Sequence, residues 1–114
     1  MIVRETSVRP SDFEGLAIRD YTAGRATSSS FAVIDVEPGA AHRVSWSRRS
    51  DKYYYVASGT VEFVDSGQSH VLSQGDFCLV AQGERFSYRN VSDKPAQLCL
   101  FHTPSFDLDS EVFE

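Results

Sequence analysis

Three pairs of side chains set two residues apart carry most of the chemistry in this sequence: Ser45 with Ser47, Lys52 with Tyr54, and Phe86 with Tyr88. On an extended strand, residues i and i+2 share a face. Each pair would then act together, as two hydroxyls, an amine beside a phenol, and an aromatic wall beside a phenol. A lysine amine withdrawn from water holds its proton less tightly and can serve as a general base or a Schiff-base amine. Kept charged, it can hold a carboxylate, a phosphate or a developing enolate while a phenol or imidazole moves the proton.

Three histidines complete the candidates. His102 ends the apolar run "AQLCLFHT" on the parity of Leu98 and Leu100. Both faces of that run are apolar, so a packed core histidine and a catalytic acid or base both fit. His42 precedes Ser45 by three residues and is expected in a loop. His70, in "GQSHVLSQGD", falls where a polar outer-face residue belongs and reads as solvated. Cys78 in "DFCLV" and Cys99 in "QLCLF" read as buried, reduced thiols rather than nucleophiles, because neither has a neighbouring cation.

The elements that must position these residues are strands. Seven runs rich in Val, Phe, Tyr and Leu fit: "SFAVIDVE", "KYYYVASG", "TVEFVDS", "SHVLSQ", "DFCLVAQ", "RFSYRNV" and "AQLCLFHT". Breaks such as Pro38-Gly39, Ser58-Gly59, Ser66-Gly67 and Gln82-Gly83 punctuate them, and short strands at such intervals predict an all-β sandwich or barrel. "PSDFEGLAIRD" is the best candidate for a short helical stretch. The acidic tail "TPSFDLDSEVFE" spaces Phe106, Leu108, Val112 and Phe113 through it, so it should pack on the barrel or on a partner chain.

With 114 residues, 41% hydrophobic and 24% charged, the chain suits one globular domain spanning 1–114. A net charge of −5 argues against a nucleic-acid partner, since phosphate binding needs concentrated Lys and Arg, and Arg43, Arg48 and Arg49 form too small a cluster. No apolar run approaches the length of a membrane span and "MIVRETSVRP" has no signal-peptide core, so no membrane partner and a cytoplasmic location are expected.

The spacing of glycines around the candidate residues resembles that of the cupin superfamily. From Gly39, the positions run to Ser45, Ser47, Lys52 and Gly59; from Gly75, to Ala81, Gly83, Phe86 and Asn90. These spacings match the two cupin motifs, G-x5-H-x-H-x4-E-x6-G and G-x5-P-x-G-x2-H-x3-N, over about 39–59 and 75–90. The resemblance extends from about Phe31 to Pro104 and implies the cupin double-stranded β-helix, a small barrel of two facing antiparallel sheets.

At the four positions where the family places metal ligands, this chain has Ser45, Ser47, Lys52 and Phe86. Serine is a poor ligand for divalent metals, phenylalanine is none, and an ammonium repels a cation. Neither a metal nor another cofactor is therefore expected. The resemblance also turns the paired residues inward. Lys52, Tyr54, Tyr88 and His102 become candidate catalytic residues, and Ser45, Ser47, Arg43, Phe86 and His42 candidate ligand contacts. A cavity with those linings suits a small organic ligand, anions included.

The function expected is metal-independent binding of that ligand with proton transfer of an isomerase, epimerase or cyclase type. A non-catalytic binding or sensing module is the alternative, and a metal-dependent enzyme such as a dioxygenase with a relocated site is the third. Small cupins are commonly homodimers, and the aromatic outer strand faces suit a second copy as partner.

Overall fold

A computed structural model describes residues 1–114. Eleven strands make up the fold: β1 (Ser11–Phe13), β2 (Leu16–Asp20), β3 (Ser30–Val36), β4 (Ala41–Ser47), β5 (Asp51–Ser58), β6 (Thr60–Asp65), β7 (Gln68–Ser73), β8 (Phe77–Val80), β9 (Phe86–Arg89), β10 (Ala96–Thr103) and β11 (Glu111–Phe113). They form two antiparallel sheets, ordered β1-β2-β3-β10-β5-β8 and β11-β4-β9-β6-β7. All seven strand runs expected from the sequence are strands.

Alternation sorts the six-stranded sheet into an inner and an outer face. Cross-strand register aligns the inward residues in rows: Ser30, His102, Lys52 and Val80, then Ala32, Leu100, Tyr54 and Cys78, then Ile34, Leu98 and Val56. The first row is mostly polar and the third wholly apolar, so polarity falls along the barrel axis. Phe63, Phe86 and Tyr88 close the core from the other sheet, all buried.

Two motif residues have plain structural duties. Gly59 adopts φ of +77°, and a Cβ there would lie 2.6 Å from the Pro95 carbonyl, so the β5–β6 corner admits no side chain. The buried Asn90 amide donates to the carbonyls of Val36 (2.9 Å) and Lys94 (2.7 Å), while its oxygen accepts from Ser92. It thereby fixes the return from β9 to β10.

The segment read as a helix, "PSDFEGLAIRD", is the β1–β2 hairpin instead. Phe13 pairs with Leu16 across the two-residue turn Glu14-Gly15, both at positive φ. That turn geometry suits antiparallel strands and ends any helix. The acidic tail packs on the barrel as a short 3-10 turn (Leu108–Ser110) followed by β11, which adds to the edge of β4.

Candidate functional site

The polar inner row opens into a cavity of about 250 Å³. Its lining comes from three sources: the barrel sheets, the N-terminal hairpin and the C-terminal tail. Lys52, Tyr54, His102 and His42 represent the first; Phe13 and Asp20 the second; Phe106, Glu111 and Phe113 belong to the third.

Lys52 sits at the centre of the charge distribution. Its ammonium forms an ion pair with the Glu111 carboxylate and lies 3.2 Å from Nε2 of His102 and 5.3 Å from the centre of the Phe86 ring. The Lys52 and Glu111 side chains are only 4% and 5% exposed. Burial lowers the Lys52 pKa, and the charge and hydrogen bond of Glu111 oppose that fall. Burial, and then the neighbouring ammonium, lower His102 to about 3. A neutral His102 accepts from Lys52 at Nε2 and so carries its own proton on Nδ1.

His42 is the second imidazole at the cavity. Its Nδ1–H donates to the Arg43 carbonyl at 2.7 Å, which leaves the Nε2 lone pair without a protein partner. Burial, only partly offset by that hydrogen bond, lowers its pKa to about 4. The ring packs between Phe13, Phe86 and Tyr88 at centroid distances of 5.2, 5.0 and 5.3 Å. Strict alternation would turn His42 away from Ser45, three residues on. A bulge between them leaves Arg43 and Val44 both exposed and restores His42 to the inner face. His42 is thus a strand residue at the cavity rather than a loop residue.

Tyr54 lines the cavity, and its phenol is pushed well above its usual pKa, by burial first and then by Tyr88 and Glu111. Tyr88 lies behind His42 and outside the lining; its buried hydroxyl has no hydrogen-bond partner, and burial raises its pKa. Phe86 forms the floor under Lys52 rather than a wall of the cavity.

Three expected ligand contacts lie elsewhere. The Ser47 hydroxyl accepts from the backbone N–H groups of Arg49 (3.1 Å) and Ser50 (2.9 Å), closing the β4–β5 turn. Ser45 is fully buried, with its hydroxyl 3.4 Å from His42 Nδ1, so it touches the site only through that ring. Arg43 points outward to Glu14 and the Glu114 carbonyl. His70 lines a separate depression with Asp65 and Phe77, apart from His42 and His102. Burial raises both thiol pKa values, that of Cys78 to about 11, which disfavours a thiolate at either position.

The residue missed by sequence reasoning is Glu111. Only the apolar residues spaced through the acidic tail hinted that this segment docks, and nothing in the spacing showed that its carboxylate reaches Lys52. The donor set at the four motif positions does not fit a divalent metal. Ser47 is committed to a turn, Phe86 offers no lone pair, and the Lys52 ammonium occupies the space between Glu111 and His102. No three His, Cys, Asp or Glu side chains converge elsewhere as metal ligands.

The two facing antiparallel sheets form a barrel of the double-stranded β-helix type. A model of the cupin domain family matches residues 32–102, and the chain belongs to that family. No curated protein matches the sequence.

Among solved structures, the chain is similar to Streptomyces Pac13, described as a unique nucleoside dehydratase. The TM-score is 0.87 at 20% identity, covering 100% of this chain and 90% of that one. Pac13 variants, one with a histidine and two with a tyrosine replaced, have been solved with uridine. KdgF from Halomonas sp. gives a TM-score of 0.80 at 18% identity, with 94% and 96% of the chains covered. A predicted oxalate decarboxylase from Thermotoga maritima, TM1287, also gives 0.80 at 18% identity, with 91% and 99% covered. At these identities the likeness is one of fold.

Proposed function

We propose that this cupin is a metal-independent enzyme of small-molecule metabolism. It takes a nucleoside or a similar sugar-bearing compound into the cavity and transfers a proton on it, in a dehydration or an isomerisation. The observation that carries this reading is the state of His42: neutral, with its proton held on Nδ1 by the Arg43 carbonyl and a free Nε2 at the cavity.

The chemistry follows from the groups around it. In a dehydration, Nε2 of His42 removes hydrogen from a carbon made acidic by a neighbouring carbonyl. The electron pair forms a carbon–carbon double bond, and the adjacent hydroxyl leaves as water after gaining a proton. The Lys52 ammonium is placed to stabilise the transient negative charge. Tyr54, a phenol that keeps its proton, can donate a hydrogen bond to the leaving hydroxyl, and the His42 imidazolium can give that hydroxyl the proton it took. In an isomerisation the same base returns the proton to a neighbouring carbon. The Pac13 likeness supports the choice of a nucleoside-like compound, and the matching types of the residues substituted in Pac13, histidine and tyrosine, support the choice of His42 and Tyr54.

The test is incubation with nucleosides and their carbonyl-bearing oxidised derivatives in D2O, followed by mass spectrometry. Loss of water or uptake of deuterium, abolished in His42→Gln while binding persists, supports the enzyme. Saturable binding with neither change would establish the non-catalytic binding module instead.

The same reading includes a homodimer. On the outer face of the six-stranded sheet, register aligns Phe31, Phe101, Tyr53 and Leu79 in one row and Val33, Cys99, Tyr55 and Phe77 in the next. Phe101, Tyr55, Phe77 and Leu79 are all exposed in the single chain. A contiguous apolar sheet face of this kind is uncommon in a monomer.

A further inference from the structure

Besides the Tyr54 phenol, the cavity carries six ionisable side chains: Asp12, Asp20, His42, Lys52, His102 and Glu111. Lys52 is the only lysine or arginine among them, and Glu111 and His102 already engage it. Both imidazoles are held neutral by burial. Arg19, Arg43 and Arg49, close in sequence to lining residues, are committed elsewhere, to Asp35, to Glu14 and the Glu114 carbonyl, and to Ser105, while Arg9, two residues before Ser11, is exposed and outside the lining.

Opposing that single cation are three carboxylates. Asp12 and Asp20 belong to the N-terminal hairpin; Asp12 is exposed, and Asp20 is held in place by accepting from the N–H and hydroxyl of Thr22 at 2.9 and 2.7 Å. With Lys52 at +1 and Asp12, Asp20 and Glu111 at −1 each, the lining sums to −2 at neutral pH. A phosphate or carboxylate on a ligand would meet like charge from the hairpin. Inside, the charge of Lys52 is already balanced by Glu111, whose side chain has no other hydrogen-bond partner, so a full anion gains little net attraction there. A hydroxyl or carbonyl meets no such opposition, because carboxylates, a free imidazole nitrogen and a phenol can all exchange hydrogen bonds with neutral polar groups.

We infer that the cavity selects uncharged, hydroxyl-bearing molecules over their phosphorylated or carboxylated counterparts, with Asp12 and Asp20 as specificity-determining residues. This rests on the reading of the cavity as a small-molecule site, and it narrows the expected small organic ligand, anions included, to uncharged ones.

The test compares uridine with uridine 5′-monophosphate, following the His42 and His102 imidazole signals by NMR at low salt. Uridine should bind at least about tenfold more tightly, and Asp12→Asn combined with Asp20→Asn should narrow that ratio to about threefold or less. Equal or tighter binding of the monophosphate to the wild-type protein, or a ratio untouched by the double substitution, overturns the inference. Should uridine fail to bind, the nucleoside reading falls by itself, and inorganic phosphate then decides the charge selection alone. Imidazole signals unmoved by phosphate support it; a saturable shift refutes it.

Discussion

Replacing Glu111 by Gln removes the charge of a buried carboxylate with almost no change of volume, and so isolates what the ion pair with Lys52 contributes. Both side chains are about one-twentieth exposed, so solvent screening is slight. The variant leaves an ammonium at the barrel mouth facing His102 and the Phe86 ring, neither of which carries negative charge. Removing one partner of a buried pair costs about 3–5 kcal/mol. Small domains hold about 5–15 kcal/mol in total, so Glu111→Gln should fold but with a substantial part of its margin gone.

Urea unfolding followed by circular dichroism at neutral pH measures this, with an unchanged m-value confirming that only stability moved. The loss should shrink as pH rises. Burial depresses the Lys52 pKa in the folded state, so between that value and the unfolded one the unfolded chain binds the extra proton and stability climbs with pH. Lys52→Met combined with Glu111→Leu removes both charges and should return close to wild type. A loss below about 1 kcal/mol for Glu111→Gln, the size of a surface pair, would refute the reasoning.

Two further outcomes follow from the same geometry. His42 and His102 titrate at about 4 and about 3 in the fold against 6.5 in the free side chain, so the unfolded chain takes up two more protons as pH falls from 6.5 toward 4. Stability should drop there by up to about 2.7 kcal/mol per pH unit. His42→Gln and His102→Gln should each remove one proton from that uptake, and a profile unaltered by either would contradict their buried, neutral state. Phe101→Glu with Tyr55→Glu should leave the fold intact and convert a dimer to a monomer in sedimentation velocity. A wild-type chain that is monomeric at high micromolar concentration would remove the proposed dimer.

Much of the barrel was legible because strand alternation and turn glycines are local signals. That Lys52, Tyr54 and Val56 share one face follows from period two, as it does for Phe86 and Tyr88, and the cupin resemblance implies that this face is the inner one. His42 is expected in a loop beside the cavity and stands on β4 instead, turned to the cavity by a bulge at Arg43 and Val44 that period two does not reveal. Ser47 shows a different limit. Its inward parity is right, yet its hydroxyl is consumed by two backbone N–H groups of the next turn, which spacing does not reveal. The hairpin and the tail lie outside the two spaced motifs. Phe13, Asp20, Phe106 and Glu111 therefore came from segments where the sequence offered composition but no register.

Those two segments change what the barrel mouth can do. The inner row Ser30, His102, Lys52 and Val80 holds Lys52 at one of the positions where the cupin motif has a metal ligand. With Lys52 in that row, the site holds a positive charge that can only be countered by a carboxylate from outside the motifs, and β11 brings one. A metal polarises a ligand by accepting its lone pairs. An ammonium already shared between a carboxylate and an imidazole instead offers directional hydrogen bonds and a proton inventory. Chemistry at such a mouth is then set by which nitrogen or oxygen holds the proton, and Arg43, through its carbonyl rather than its guanidinium, makes that assignment for His42.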